Sequence, residues 1–312
     1  MKIIDYNQIK KLNISPKQCV DWVDKALRSK YDCILPSKIS VSPSSDVFYN
    51  TMPVYLATKD RFGVKVVSRY PERKPALVSD ILLYDSIHGE LLAFMDGSWI
   101  TAMRTGAVAA LSINKLKKSD AKQFAFIGLG NTARATLLCL RELIQGPINI
   151  SLLSYKDQAE SFIDRFKEDT DISFSVYSDV KEQIKEADVV ISCVTVAHDL
   201  FAPDDCYKPG TLVVPVHTRG FQNCDLFFDK VFADDVKHVC GFKYFNQFKK
   251  FDEFAHVLLG ENQGRESDEE RILAYNIGIA LHDIYFASEI YNLVSDNSEN
   301  LEMNIPTDKF WV

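Results

Sequence analysis

The sequence predicts an α/β protein with a doubly wound parallel sheet joined to an α+β domain, and three observations carry that prediction. From residue 122 onward, short apolar strands alternate with helical segments. The first of those strands runs straight into Gly128-Leu129-Gly130-Asn131-Thr132-Ala133 and then a helix. Ahead of residue 97, β-rich runs instead follow one another with only turns between them. The length of 312 residues also suits about two domains at roughly 150 residues each.

Taken in order, residues 14–29 place Val20, Val23, Ala26 and Leu27 at helical spacing behind Ser15-Pro16, which predicts an amphipathic first helix lying on a sheet. Between Tyr55 and Phe94 come the runs YLATKD, FGVKVVSRY, ALVSDILLYD and ELLAFMD, with a turn at Asp85 to Glu90, so an antiparallel sheet with hairpins is expected. Thr101 to Leu116 is Ala-rich and apolar at helical spacing, a helix that leads out of the first domain. Strands are then expected at 122–127, 148–154, 174–177, 188–194, 211–216 and 230–235. Helices follow the glycine loop and cover 157–167, 179–186 and finally 271–294.

The glycine loop has a mechanism in this setting. Gly128 permits the tight turn, and Gly130 lets a pyrophosphate approach the backbone at the helix start, where unpaired N–H groups favour an anion. Ala133 is small enough for close helix packing. A dinucleotide is therefore the expected cofactor, either NAD or NADP. The second strand ends in Leu153-Ser154-Tyr155-Lys156-Asp157. Ser154 and Lys156 suit a 2′-phosphate, and Asp157 falls about three residues late for the ribose role, which tilts the expectation toward NADP. Lys156 reads equally as a solvated lysine at a helix start.

Composition narrows the rest. The balance of 36 basic against 43 acidic residues, net charge −7, argues against nucleic acid as a partner. No apolar run reaches the roughly 18–20 residues that span a bilayer, so no membrane partner and a cytoplasmic location are expected. Seven cysteines without a Cys-x-x-Cys pair suggest reduced structural thiols, and six histidines without ligand spacing suggest no metal. The aromatic run from Phe221 to Phe254 reads as core or interface.

Several blocks coincide with one family. Met52-Pro53, the segment 63–68 (GVKVVS), the stretch from Gly89-Glu90 through 95–97 to 100–108 (ITAMRTGAV), the GLGNTA loop, 187–190 with Thr195, Gly264-Arg265 and 278–283 together resemble the ornithine cyclodeaminase and mu-crystallin family. The resemblance implies a Rossmann NAD(P)-binding domain at 116–283, with a substrate and dimerisation domain formed by 1–115 and 284–312. It implies a homodimer acting on a small amino or imino acid by hydride transfer at a carbon bonded to nitrogen. Imine or ketimine reduction and amino-acid dehydrogenation fit that description. Conversion of ornithine to proline and ammonia is the alternative, and a non-catalytic dinucleotide-binding crystallin-like protein is another.

By the same resemblance Lys65 is a substrate-site lysine, and Arg104 holds the substrate carboxylate beside the cofactor. A planar guanidinium grips a carboxylate bidentately, and a lysine holds the second oxygen or relays a proton. Arg104 is also an expected cofactor contact, and Asn131, Thr132, Tyr155, Thr195, Val216 and Asn276 complete that set. On pattern alone, Arg104 also reads as a helix surface residue and Lys65 as an exposed strand residue.

The departures from the family bear on the reaction. Ornithine cyclodeaminases carry G-x-D-x-P-G-K-x-E where this chain reads 217–225 (HTRGFQNCD), so Arg219 stands in the place of an aspartate that contacts the substrate's side-chain amine. A cation there repels an ornithine ammonium. Near Pro36-Ser37-Lys38, where many members have an arginine, Lys38 keeps the charge but loses the fork. Arg219, His217 and Lys38 together suit a second carboxylate, with His217 as acid or base. Alternatively Arg219 faces solvent or pairs with Asp225, and His217 is a loop residue.

Overall fold

The computed structural model describes residues 1–195, 197, 200–216 and 225–294. By compactness the chain divides into one unit of Met1–Ile14, Tyr31–Thr101 and Asp283 onward, and a second of Ser15–Lys30 and Ala102–His282.

The first unit is built on a six-stranded sheet of β1 (Lys2–Ile4), β2 (Ile39–Val41), β3 (Phe48–Leu56), β4 (Arg61–Arg69), β5 (Leu77–Asp85) and β6 (Leu91–Asp96). Its spatial order is β1-β6-β5-β4-β3-β2, antiparallel except where β1 joins β6. Helix α1 (Tyr6–Lys11) starts on a reciprocal cap between Asp5 and Gln8. The expected hairpin turn closes with the Asp85 amide donating to the Glu90 carbonyl at 2.9 Å. Strands β1 and β2, three residues each, are too short to show an alternation in the sequence. Along β4, Gly63, Lys65 and Val67 share the buried face.

The second unit holds an all-parallel sheet of eight strands. These are β7 (Gln123–Ile127), β8 (Ile148–Leu153), β9 (Ile172–Tyr177), β10 (Val189–Ser192), β11 (Leu212–Pro215), β12 (Lys230–Ala233), β13 (Phe251–Glu253) and β14 (Ile272–Tyr275), in the order β13-β12-β14-β11-β10-β7-β8-β9. Helices α2 (Pro16–Arg28), α3 (Ser98–Leu116, from Ala102 in this unit), α4 (Asn131–Leu143), α5 (Gln158–Arg165), α6 (Val180–Glu186), α7 (Val236–Val239) and α8 (Phe254–Leu259) belong with it. This is the expected doubly wound α/β fold.

The closing helix differs from the sequence expectation. Residues 272–275, expected within the closing helix, form β14 between β11 and β12, and α9 (Ala280–Leu293) begins only after four further residues. All four β14 residues are buried, and so short an apolar run has no period to separate strand from helix. The expected first helix is α2, whose neighbours include α4 and α8. Its apolar stripe of Val20, Val23, Ala26 and Leu27 is buried there, and Arg28 Nη1 donates to the Leu258 carbonyl at 2.5 Å.

Candidate functional site

At the carboxyl edge of the parallel sheet the strand order reverses: β7 has β8 on one side and β10 on the other. There the chain leaves β7 through Gly128, whose φ of +86° is left-handed. A Cβ on Gly128 would stand 2.9 Å from the backbone of both Cys193 and Val194. Gly130 is extended and starts α4, and a Cβ on it would meet nothing. The amides of Asn131, Thr132 and Ala133 in the first helical turn have no intrahelical acceptor. Neighbouring chain ends converge on the same edge: the Cys193 amide donates to the Ile127 carbonyl at 2.8 Å, Val216 to Ser192 at 2.9 Å, and Asn276 to Pro215 at 2.9 Å. Thr195 is exposed just past Val194.

At the end of β8 the Ser154 amide donates to the Tyr177 carbonyl at 2.8 Å. Tyr155 is 58% exposed, and Lys156, at φ +52°, sets its ammonium 5.2 Å from the Tyr155 ring centroid. Asp157 caps α5 in position only, without a side-chain hydrogen bond.

Arg104 lies on α3 and is 5% exposed, not a surface residue. Its guanidinium lies against the turn after β14, where Gly278 sits at φ +92°. A Cβ on Gly278 would collide with the guanidinium, standing 2.8 Å from Nη2 and 2.9 Å from Cζ. Two residues earlier Asn276 is buried, and neither its amide nitrogen nor its carbonyl oxygen has a hydrogen-bond partner among the described residues. Such a group costs free energy until something satisfies it. A dinucleotide fits this edge: bare backbone at Gly130, unpaired helix amides, and an orphaned amide side chain at Asn276.

In the first unit Lys65 is 1% exposed, and its Nζ donates to Asp283 Oδ1 at 2.9 Å. Asp283 is fully buried, on the part of α9 that packs over β4, where Ile284 fills the space above Gly63. Lys38 is half-buried just before β2. Ile39 pairs with Thr51 and the adjacent Met52 pairs with Lys65, which sets Lys38 and Lys65 about two inter-strand spacings, ~10 Å, apart along the sheet.

His217 and Arg219 lie outside the described residues, as does their segment through Cys224. Among the described residues no group of three or more His, Cys, Asp or Glu is arranged to hold a metal, and no helix is long and apolar enough to cross a membrane. Burial pushes the Cys19 thiol up to about 12 and the Cys139 and Cys193 thiols upward as well, away from thiolate chemistry.

Sequence reasoning missed Asp283 as the partner of Lys65, although it quoted the residue. Every residue from Gly278 to Ala287 is buried, and nothing local to that stretch, which also holds His282, marks Asp283 as the partner of a strand lysine. It also missed Asp188, whose Oδ2 accepts from the Lys122 and Gln123 amides, both at 2.9 Å, and whose Oδ1 meets Lys208 at 2.9 Å and Lys118 at 3.1 Å. Asp188 thereby ties the start of β7 to β10.

Comparison with known proteins bears on this arrangement. A family model described as ornithine cyclodeaminase/mu-crystallin family matches residues 3–298. The chain is 29% identical over 280 residues to the nodulation efficiency protein NfeD of Rhizobium meliloti, covering 83% of each chain. It is 25% identical over 318 residues to a Δ1-pyrroline-2-carboxylate reductase of Bacillus cereus, covering 93% of this chain and 96% of that one. Among solved structures, the Thermococcus litoralis Δ1-pyrroline-2-carboxylate reductase in complex with NADH and L-proline superposes with a TM-score of 0.84 at 24% identity, over 94% of this chain and 97% of that one.

Proposed function

This chain belongs to the ornithine cyclodeaminase/mu-crystallin family, and from that premise we propose that it is an NAD(P)-dependent oxidoreductase acting on the C–N bond of an imino or amino acid. The observation that carries the reading is Arg104, a buried guanidinium in the same unit as the glycine-loop edge and seated on the turn next to Asn276. The similarity to pyrroline-2-carboxylate reductases supports an imine bearing an α-carboxylate as the substrate class.

When bound, the dinucleotide supplies or accepts the hydride at the carbon attached to nitrogen. Arg104 grips the α-carboxylate with its planar fork and fixes the substrate's orientation. Reduction of the C=N bond also requires a proton at nitrogen. Lys65, paired with Asp283 at 2.9 Å, holds an anionic oxygen or delivers that proton. Ser154 and Lys156 at the end of β8 favour a 2′-phosphate, hence NADP over NAD. His217, Arg219 and Lys38 remain proposed contacts to a second anionic group.

A homodimer fits the outward face of the first unit's sheet, where Tyr55, Phe62, Leu82, Tyr84 and Phe94 alternate with the buried residues and stay partly exposed. The solution mass checks it.

The test is a panel of cyclic imino acids, keto acid plus amine pairs, alanine and ornithine, followed by nicotinamide absorbance with NADH or NADPH (NAD or NADP for the amino acids). Turnover of a carboxylate-bearing imine is expected. Dinucleotide binding without turnover of any substrate overturns the reading in favour of a binding protein, and ammonia release from ornithine overturns it in favour of a cyclodeaminase.

A further inference from the structure

Asp234 is the residue that follows β12, is fully buried, and takes no part in the chemistry above. Its Oδ2 accepts from the Gly278 amide at 2.6 Å. That amide belongs to the turn on which the Arg104 guanidinium lies. The aspartate is anchored on its other side: Lys30 Nζ donates to the Asp234 carbonyl at 2.8 Å and to Glu253 at 2.7 Å, and Glu253 in turn accepts from the Val236 amide at 2.7 Å. Asp235 completes this network, 3.4 Å from Lys30. Asp234 Oδ1 has no hydrogen-bond partner among the described residues, and burial pushes this carboxyl above its ordinary value. A buried acid is thus retained near His238 and Lys30, which act on it electrostatically, and its side-chain hydrogen bond goes to Gly278.

Gly278 is at φ +92°, a conformation that side chains other than glycine rarely adopt, and its bare α-carbon leaves the room that the guanidinium fills. A turn of that kind is held in place by its hydrogen bonds. We propose that Asp234 is a positioning residue for the reaction: by clamping the Gly278 amide it fixes the wall against which Arg104 lies, and so sets where the substrate carboxylate is gripped. The proposal rests on Arg104 being the carboxylate-binding group. A misplacement of about 1 Å in such a group costs about 10²-fold in rate, which sets the scale of the expected effect.

The experiment compares Asp234→Ala, Asp234→Asn and Arg104→Lys on a cyclic imine with and without its α-carboxylate, alongside NADPH and NADH affinity by fluorescence. Asp234→Ala should lower kcat/KM for the carboxylate-bearing imine by about 10- to 100-fold, chiefly through KM. The carboxylate-free imine and both dinucleotide affinities should move by less than about threefold, a selectivity that general loosening of the fold would not produce. Asp234→Asn keeps an oxygen that accepts the Gly278 N–H and should recover most of the loss. If Asp234→Ala does not fold, Gly278→Ala presses on the guanidinium from the same wall and should show the same carboxylate-specific loss.

Equal losses on both imines, no loss on either, or failure of Asp234→Asn to recover would each overturn the proposal. Should Arg104→Lys leave the preference for the carboxylate intact, the reading of Arg104 itself fails. Should Arg104→Lys abolish that preference while Asp234→Ala preserves it, only the role of Asp234 fails.

Discussion

Lys65 and Arg104 are 1% and 5% exposed, one bonded to a buried aspartate and the other seated on a turn that a second buried aspartate ties down. At the far end of the proposed dinucleotide contacts, Tyr155 is 58% exposed and Lys156 reaches across its ring. Both regions present basic side chains, yet they are built under opposite constraints. Burying a charge costs several kcal/mol that pairing only partly returns, so a fold that keeps Lys65 and Arg104 inside gains little stability from them. Lys156, already in water, costs nothing to keep and nothing to replace. The contrast implies that the positions of Lys65 and Arg104 tolerate almost no substitution, whereas the proposed cofactor-reading positions Tyr155 and Lys156 are open to change.

The largest effect tests the buried side. Lys65→Met leaves the Asp283 carboxylate in the core without its ammonium and should destabilise the protein by about 3–5 kcal/mol, read from the denaturation midpoint. Adding Asp283→Leu should restore most of that stability while activity stays lost. A single variant as stable as the parent would show that the pair carries no buried-charge burden, and the comparison would collapse.

Next comes Arg104→Lys, which keeps the charge and removes the fork. Losing one arm of a charge-assisted bidentate contact corresponds to about 1.5–3 kcal/mol, so kcat/KM for an imino acid should fall by about 10- to 100-fold. Dinucleotide affinity measured in parallel should change far less, and an equal fall in both would place Arg104 on the cofactor instead.

How much of this was legible follows from where each signal resides. The glycine loop could be read because strand, Gly128, Gly130 and helix are contiguous, and the mechanism is local. Lys65 and Arg104 were legible through family blocks only; by periodicity one is a polar strand position and the other a polar residue on an Ala-rich helix. The partners that bury them were invisible, since Asp283 lies 218 residues from Lys65, and Asp234 acts on a glycine 44 residues away. No pattern within a helix or strand encodes a contact at such separation. The same limit hid β14, whose place is decided by β11 and β12 on either side.

Asp188 supplies an ion cluster that the comparison needs as a control, because it lies at a strand start and serves architecture. Burial works against its charge, but Lys208, the Lys122 and Gln123 amides and Lys118 outweigh it and hold the carboxyl at about 2, below the ordinary 3.8. A depressed carboxyl stabilises the fold above the unfolded value and loses that contribution as pH falls from about 4 through about 2. The shift corresponds to about 2 kcal/mol, reduced to about 1–2 by solvent around the half-exposed lysines. Asp188→Asn should therefore lose about 1–2 kcal/mol at neutral pH and flatten the acid limb of the stability curve, with kcat/KM little changed. A loss of activity larger than the loss of stability would make Asp188 part of the site.

The smallest effect belongs to the exposed end. Lys156→Ala removes one solvent-screened charge and should leave stability within about 0.5 kcal/mol of the parent. If Lys156 meets a 2′-phosphate, the variant's KM for NADPH should rise by about threefold to tenfold, the range of a single exposed ionic contact, while KM for NADH stays put. Parallel shifts for both dinucleotides would reduce Lys156 to a solvated residue at a helix start and return the choice between NAD and NADP to Ser154 and Tyr155. A selectivity change without a stability change is the outcome the comparison requires, because at this end the discriminating group and the folded core share no buried contact.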